Sequence, residues 1–347
     1  MKKVFVGMSG GVDSSVAAFL LKEQGFEVVG LTLKLINDAS RCCDDDDIER
    51  AKKICHKLNI KHYVLNLKRE FKNKIINYFI SEYLHGRTPN PCALCNEEIK
   101  FVALIKKMKE FDFDYVATGH YANIKKIKNG YFLTKGKDPK KTQEYFLARL
   151  KKEDLKYIIF PLADLTKEKV KDIALKNKLD LARNESQEVC FLKDNEAPYE
   201  FIKKNIKDFS FKTELVDIKG NKIKELEYPY YKYTVGQRKG LGVGGGEPFY
   251  VIKINAEEKK VIIGTREQAF SKSFIAKNLN FFINIKSKKF KADVKIRYLH
   301  KQAPAMIEIE DDVARITFNK PQFAITPGQL AVFYKKDAVI GSGFIEL

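Results

Sequence analysis

Gly7–Ser15, GMSGGVDSS, is the stretch whose reading decides the fold. A short apolar run, Val4-Phe5-Val6, precedes it. Ser15–Gln24 follows, with Val16, Phe19 and Leu20 on one helical face. The order is therefore strand, glycine turn, helix. Consecutive glycines let the backbone turn tightly with its N–H groups pointing inward, and the start of the helix adds the positive end of its dipole. Such a cradle suits phosphate or pyrophosphate. A Walker loop is excluded because no Lys lies in the turn, and the G-x-G-x-x-G dinucleotide fingerprint is absent between this strand and helix.

Moving outward, Phe26–Leu35 is a near-continuous apolar run that predicts a buried parallel strand. Cys42-Cys43 and the four aspartates Asp44–Asp47 come next. The aspartates read as a helix start, where acids favour the dipole, rather than as an acidic metal site. Ile48, Ala51, Cys55 and Leu58 then share one face of a helix over Asp45–Leu58, which makes Cys55 a core residue. Further expectations are a strand at Lys61–Leu67, a long helix at Phe71–Leu84 and a strand at Asp114–Thr118 that ends in Gly119-His120.

Between the last two lies GRTPNPCALCNEEIKF, Gly86–Phe101, read as an irregular loop with a helix beginning at Asn96-Glu97-Glu98. Strands alternating with helices predict an α/β doubly wound sheet with its ligand at the carboxyl ends of the strands. A hairpin about Asn129-Gly130 and a helix at Thr166–Lys178 complete this part. From about residue 208 short alternating strands take over. The expected division is a nucleotide-binding catalytic domain at 1–207, a small central β domain at 208–265 and a C-terminal β barrel at 266–347. Gly240–Gly246, GLGVGGG, lacks the strand-then-helix context of a nucleotide site and reads as a β turn.

Composition narrows the function. Sixty-four Lys+Arg against forty-five Asp+Glu give a formal net charge of +19, more than nucleotide binding requires and suited to a nucleic acid. No apolar run approaches a membrane span, and the N-terminus goes straight into a strand pattern without a signal or transit peptide, so a cytoplasmic, membrane-free protein is expected. Six cysteines in such a chain point to thiol or metal chemistry rather than a disulfide framework. Cys95, read at the start of a helix, has the position of an activated nucleophile. Cys190, between Ser186-Gln187-Glu188-Val189 and Phe191-Leu192, reads by itself as a packed strand residue, and Cys42 and Cys43 read as loop thiols.

The spelling S-G-G-x-D-S at Ser9–Ser14 resembles the PP-loop of N-type ATP pyrophosphatases, which split ATP into AMP and pyrophosphate and use the AMP half to activate a carbonyl oxygen. Taken in order, GMSGGVDSSVAA, GRTPNPCALCNEEIKF, ATGHYA, SQEVCFL, YTVGQRKGLG and TPGQLAVFY resemble the tRNA-specific 2-thiouridylase family (MnmA/TrmU) over essentially the whole chain. The resemblance implies ATP and Mg2+ as cofactors. It also implies sulfur transfer to C2 of the wobble uridine in Lys, Glu and Gln tRNAs. A cysteine desulfurase or a sulfur relay protein would be the donor.

Residue by residue, the resemblance implies ATP at Gly7, Met8, Ser9, Gly10, Gly11, Val12, Asp13 and Ser14, with Leu33 and Gly119 near the adenosine. Asn90, Pro91 and Cys92 would face the target base. His120, Lys141, Thr142, Gln143, Arg297, Tyr298 and Gln329 would touch tRNA. Cys190 would carry a persulfide and Cys95 would be its partner, forming a transient disulfide with it or freeing sulfide. Many relatives carry Asp where this chain has Cys92. That departure opens an alternative, in which Cys92, Cys95 and Cys190 are three ligands of a [4Fe–4S] cluster. Rival readings are a PP-loop ligase acting on a small molecule, and an RNA-binding protein with a vestigial ATP site.

Overall fold

A computed structural model of the chain describes residues 1–36, 45–127, 130–179, 189–193, 195–206, 212–244 and 246–346. The chain divides into two compact units, the first formed by 1–76, 91–195 and 336–340, the second by 77–90, 196–335 and 341–347.

The first unit is built on β1 (Lys3–Gly7), β2 (Glu27–Lys34), β3 (Lys61–Asn66) and β4 (Tyr115–Ala117), the hairpin β5 (Ala122–Ile127) and β6 (Gly130–Lys135), and the short β7 (Ile158–Ile159). Five of these make a parallel sheet in the order β3-β2-β1-β4-β7. β1 lies between β2 and β4, with Val4 opposite Val28 on one side and Tyr115 on the other. Burial on both faces is why this stretch is apolar without alternation: Val4 and Val6 have no exposed surface.

The helices flanking this sheet include α1 (Val12–Glu23) and α2 (Asp45–Lys57), followed in the chain by α3 (Lys68–Phe71). Val16, Ala17 and Leu21 of α1 and Ala51, Ile54 and Cys55 of α2 share one core with Val4 and Val6. Cys55 is thus the core residue expected, and burial pushes its thiol up to about 12. Asp45, Asp46 and Asp47 occupy the first turn of α2 as a helix start should; Asp44, Cys42 and Cys43 lie outside the described residues.

Two helical expectations need correction. The pattern over Phe71–Leu84 is not one regular helix. It begins at Lys68, passes through a π-helical turn at Lys72–Ile76 and continues as α4 (Asn77–Leu84), which belongs to the second unit. The cysteine stretch is also more helical than expected: α5 (Pro91–Cys95) leads through a π-helical turn at Asn96–Lys100 into α6 (Phe101–Glu110). Pro91 opens this helix because the fixed φ of proline and its missing N–H suit a first helical position. Cys95 therefore lies a turn inside, buried, and Cys92 stands nearer the N-terminus. The first unit is completed by α7 (Glu144–Leu147) and α8 (Lys167–Lys176), whose N-cap Thr166 accepts a hydrogen bond from the Lys169 N–H at 3.3 Å.

In the second unit, α4 packs with α9 (Pro198–Asn205) through the rings of Phe79 and Phe201, 6.2 Å apart. A four-stranded sheet follows, ordered β10-β11-β8-β9, from β8 (Thr213–Val216), β9 (Lys222–Leu226), β10 (Tyr250–Asn255) and β11 (Lys260–Gly264). The remaining strands are β12 (Phe270–Phe281), β13 (Lys289–Lys295), β14 (Ala303–Glu310), β15 (Val313–Phe323), β16 (Leu330–Lys335) and β17 (Ala338–Glu346). They run β12-β15-β14-β13-β16-β17, and β17 returns to pair antiparallel with β12. This closes a six-stranded barrel. Alternation sets its inside: Ala314, Ile316 and Phe318 of β15 and Ala305 and Ile307 of β14 are buried. The α/β sheet followed by a β-rich part and a barrel is the fold class expected from the sequence.

Candidate functional site

The glycine loop joins β1 to α1. Gly10 takes a φ of +72°, and a Cβ there would stand 2.5 Å from the carbonyl oxygen of Asp47 in α2. Gly11 is the N-cap of α1 and provides no side-chain cap, so the first N–H groups of the helix face a prospective ligand without a side-chain competitor. Two hydroxyls hold the loop. Ser14 Oγ donates to Gly11 O at 3.0 Å, accepts from the Ser9 N–H at 3.2 Å, and lies 3.2 Å from Ser9 Oγ. From the end of β4, Gly119 lies so close that a Cβ would be 2.7 Å from Asp13 C and 2.8 Å from Ser14 N.

These elements border a cleft of about 210 Å³, open to solvent at its mouth. Its apolar wall is Leu31, Leu33 and Leu35 from β2 and the segment after it; the glycine loop and Asp13 line another side, and Lys100, His120 and Gln143 supply polar groups. A flat apolar wall beside an anion cradle matches a base at one end and phosphates at the other. Among the expected ATP residues, Gly7, Met8, Ser9, Asp13, Ser14, Leu33 and Gly119 line the cleft, while Gly10, Gly11 and Val12 form the turn and the helix start behind it. His120 Nδ1 is 2.8 Å from Thr118 Oγ1, and the rings of Phe101 and Phe160 stand 6.1 Å from the imidazole. Burial, helped by the charge of Lys100, pushes its pKa down to about 3, so His120 is a neutral hydrogen-bonding group.

Two side chains that sequence reasoning missed converge on Asp13. Tyr121 Oη donates to Asp13 Oδ1 at 2.7 Å, and Lys167 Nζ donates to the same oxygen at 2.7 Å. Both residues are buried. Burial and the Asp13 charge push the Tyr121 phenol up, so it remains a donor. Burial lowers the Lys167 ammonium, and Asp13 opposes that shift. A signal was present in the sequence: Lys167 occupies the first turn of α8, where the dipole disfavours a cation unless an anion holds it.

Lys141, Thr142 and Gln143 form the turn before α7. Thr142 is buried, with its hydroxyl donating to Glu144 Oε2 at 2.6 Å and accepting from the Gly136 N–H at 2.9 Å. Of the target-base trio, buried Asn90 belongs to the second unit, and Pro91 and Cys92 open α5 in the first. In the second unit, Gln329 donates to Thr88 O at 2.8 Å and Pro89 O at 3.2 Å. Arg297 donates to Val235 O at 2.7 Å and to Thr326 Oγ1, and Tyr298 lies beneath Lys295.

Cys190 lies in a turn rather than a strand, because the Leu192 N–H closes back on Val189 O at 3.2 Å. Its neighbour Phe191 is buried edge-to-face against Phe71, with ring centres 5.9 Å apart. Phe71 ends α3, and the π-helical turn that continues from it packs against α5, the helix of Cys92 and Cys95. Ser186, Gln187 and Glu188 lie outside the described residues. Among the described residues no group of three His, Cys, Asp or Glu side chains is placed to hold a metal ion. No described helix is long and apolar enough to cross a membrane.

Residues 2–194 match the family described as the tRNA methyl transferase HUP domain, 199–265 the tRNA methyl transferase PRC-barrel domain and 271–345 the aminomethyltransferase beta-barrel domain. The chain is 46% identical to tRNA-specific 2-thiouridylase MnmA 1 of Caldanaerobacter subterraneus, covering 99% of this chain and 98% of that protein. It is 44% identical to tRNA-specific 2-thiouridylase MnmA of Carboxydothermus hydrogenoformans and 43% to that of Clostridioides difficile, each with 99% and 98% covered.

Proposed function

Because the chain belongs to the tRNA-specific 2-thiouridylase family, we propose that it is an ATP-dependent tRNA-uridine 2-sulfurtransferase acting in the cytoplasm. The single observation that carries the chemistry is the cleft at the glycine loop. Open helix N–H groups, the Ser9–Ser14 hydroxyl pair and Lys100 flank a leucine wall on β2. The base packs on the leucines, the phosphates meet the loop, and O2 of the wobble uridine in Lys, Glu and Gln tRNAs attacks the α-phosphorus. The α–β bond breaks and pyrophosphate leaves, so C2 carries AMP as its leaving group.

Sulfur arrives on Cys190 as a persulfide from a cysteine desulfurase or relay protein. The terminal sulfur adds to C2, and AMP departs with the former O2. Cys95 as thiolate then attacks the Cys190 sulfur, releasing 2-thiouridine and leaving a Cys95–Cys190 disulfide. A thiol reductant returns both cysteines with two electrons and two protons. The helix packing that leads from the Cys190 turn to α5 supports this pairing. The domain reading is 1–207 for catalysis, 208–265 as a small β domain and 266–347 as a tRNA-contacting barrel; the family matches support its second boundary, changing over between 265 and 271, whereas their first changeover falls between 194 and 199.

The test is thiolation of transcribed tRNA with ATP, a desulfurase and cysteine, read by mass of the digested nucleosides. Wild-type enzyme is expected to yield 2-thiouridine with pyrophosphate release that depends on tRNA. Cys190→Ser is expected to bind tRNA normally and give no product. Normal product from that variant would remove Cys190 from the mechanism, and pyrophosphate release indifferent to tRNA would favour a small-molecule ligase.

A further inference from the structure

The Asp13 carboxylate is an anion inside an anion-binding loop, so a triphosphate can enter only if that charge is balanced. Lys167 balances it, and its position is set from elsewhere. The Lys167 N–H donates to Asp138 Oδ2 at 3.0 Å. Asp138 also organises the turn that carries Lys141 and Thr142: Oδ1 accepts from the Lys140 N–H at 2.9 Å, and its carbonyl accepts from the N–H groups of Lys141 at 3.2 Å and Thr142 at 2.9 Å. The far end of the same turn returns to Asp13 by a second route. Gln143 and Tyr121 exchange two hydrogen bonds, Gln143 N–H to Tyr121 O at 2.7 Å and Tyr121 N–H to Gln143 Oε1 at 2.9 Å, and Tyr121 Oη closes the ring on Asp13 Oδ1. The phosphate loop and the Lys141–Gln143 turn are therefore two parts of one closed hydrogen-bonded circuit within the first unit.

We propose that Lys167 is a positioning residue that couples the two substrates: through Asp13 on one side and Asp138 on the other, it makes nucleotide affinity at the loop depend on RNA at the Lys141–Gln143 turn, and RNA affinity depend equally on nucleotide. The inference rests on reading the cleft as the ATP site and the turn as a tRNA contact. An RNA phosphate at Lys141 fixes the turn, hence Asp138 and the start of α8, and so holds the Lys167 ammonium on Asp13. Linkage requires the effect to be reciprocal.

The experiment measures binding of α,β-methylene ATP, which cannot release pyrophosphate, with and without saturating substrate tRNA, and tRNA binding with and without the analogue. In wild-type enzyme each is expected to tighten the other by the same factor, about fivefold or more. In Lys167→Met the two factors should fall to within about twofold of unity, with Lys167→Arg restoring part of the effect. Tyr121→Phe keeps the buried ring but breaks the second route, and should lower the factor as well. The same factor in Lys167→Met as in wild type, or no mutual effect in wild type, overturns the coupling. Should Lys167→Met not fold, an unchanged factor in Tyr121→Phe overturns it. Wild-type protein that binds neither the analogue nor tRNA would instead defeat the assignment of the substrates, and the coupling with it.

Discussion

His120 lies at the cleft between Phe101 and Phe160, with its pKa pushed down to about 3, while in the unfolded chain the same imidazole titrates near 6.5. Below pH 6.5 the unfolded chain takes up a proton that the folded protein refuses. The neutral histidine's contribution is therefore intact above that pH and is lost as pH falls toward 3. For a partly exposed ring the loss is about 1–2 kcal/mol by pH 5. His120→Asn should flatten the fall in denaturation midpoint between pH 6.5 and 5, and an unaltered acid profile would contradict the burial argument. The Gly119-His120 spelling marked the residue but not its ionisation, because the two phenylalanines that desolvate it come from other elements. Lys167 is the reverse case: its misplaced charge at a helix start was visible in the sequence, but its partner Asp13 was not.

At the scale of elements, period and length were legible wherever an element was buried on one pattern. β1, β2 and the apolar face of α2 stand where the sequence puts them. Punctuation misled where proline began an element rather than breaking one, as Pro91 does for α5. The π-helical turn at Lys72–Ile76 did leave a trace, since Phe71, Ile75, Phe79 and Tyr83 are all buried at a strict spacing of four rather than at the 3.6 of a regular helix. The glycine loop gives the sharpest test at this scale. Gly10→Ala places a side chain in left-handed backbone, at about 1–2 kcal/mol, and drives its Cβ toward the Asp47 carbonyl, which cannot swing aside as a side chain would. Nucleotide-analogue affinity should fall by about tenfold or more, the equivalent of 1.4 kcal/mol. Binding within twofold of wild type would mean that the turn can relax without α2.

For the whole molecule, the net charge of +19 suited a nucleic-acid partner but did not say which cations would meet it. Arg297 shows the difference. Its guanidinium holds Val235 O and Thr326 Oγ1, so it ties a loop to the barrel, whereas Lys301 nearby is exposed beside Leu299. Arg297→Ala is expected to lower stability by about 2 kcal/mol, seen in the denaturant midpoint. Lys301→Ala should leave the midpoint alone and reduce the slope of log affinity for tRNA against log salt by about one. The opposite pattern would reverse the two roles.

The return of β17 to β12 also bears on how the protein acquires its shape. Phe281 faces Gly341 and Ala276 faces Ile345 across the closing seam, pairs that lie far apart along the chain, while the other barrel contacts join nearer neighbours. Until that seam forms, β12 and β17 each present an open edge able to recruit a foreign strand. Such long-range closure is slow compared with hairpin formation, because chain entropy is spent before the contacts that reward it exist. Refolding should therefore be limited by this seam, and its yield should fall as protein concentration rises, since a second chain competes for the same edges.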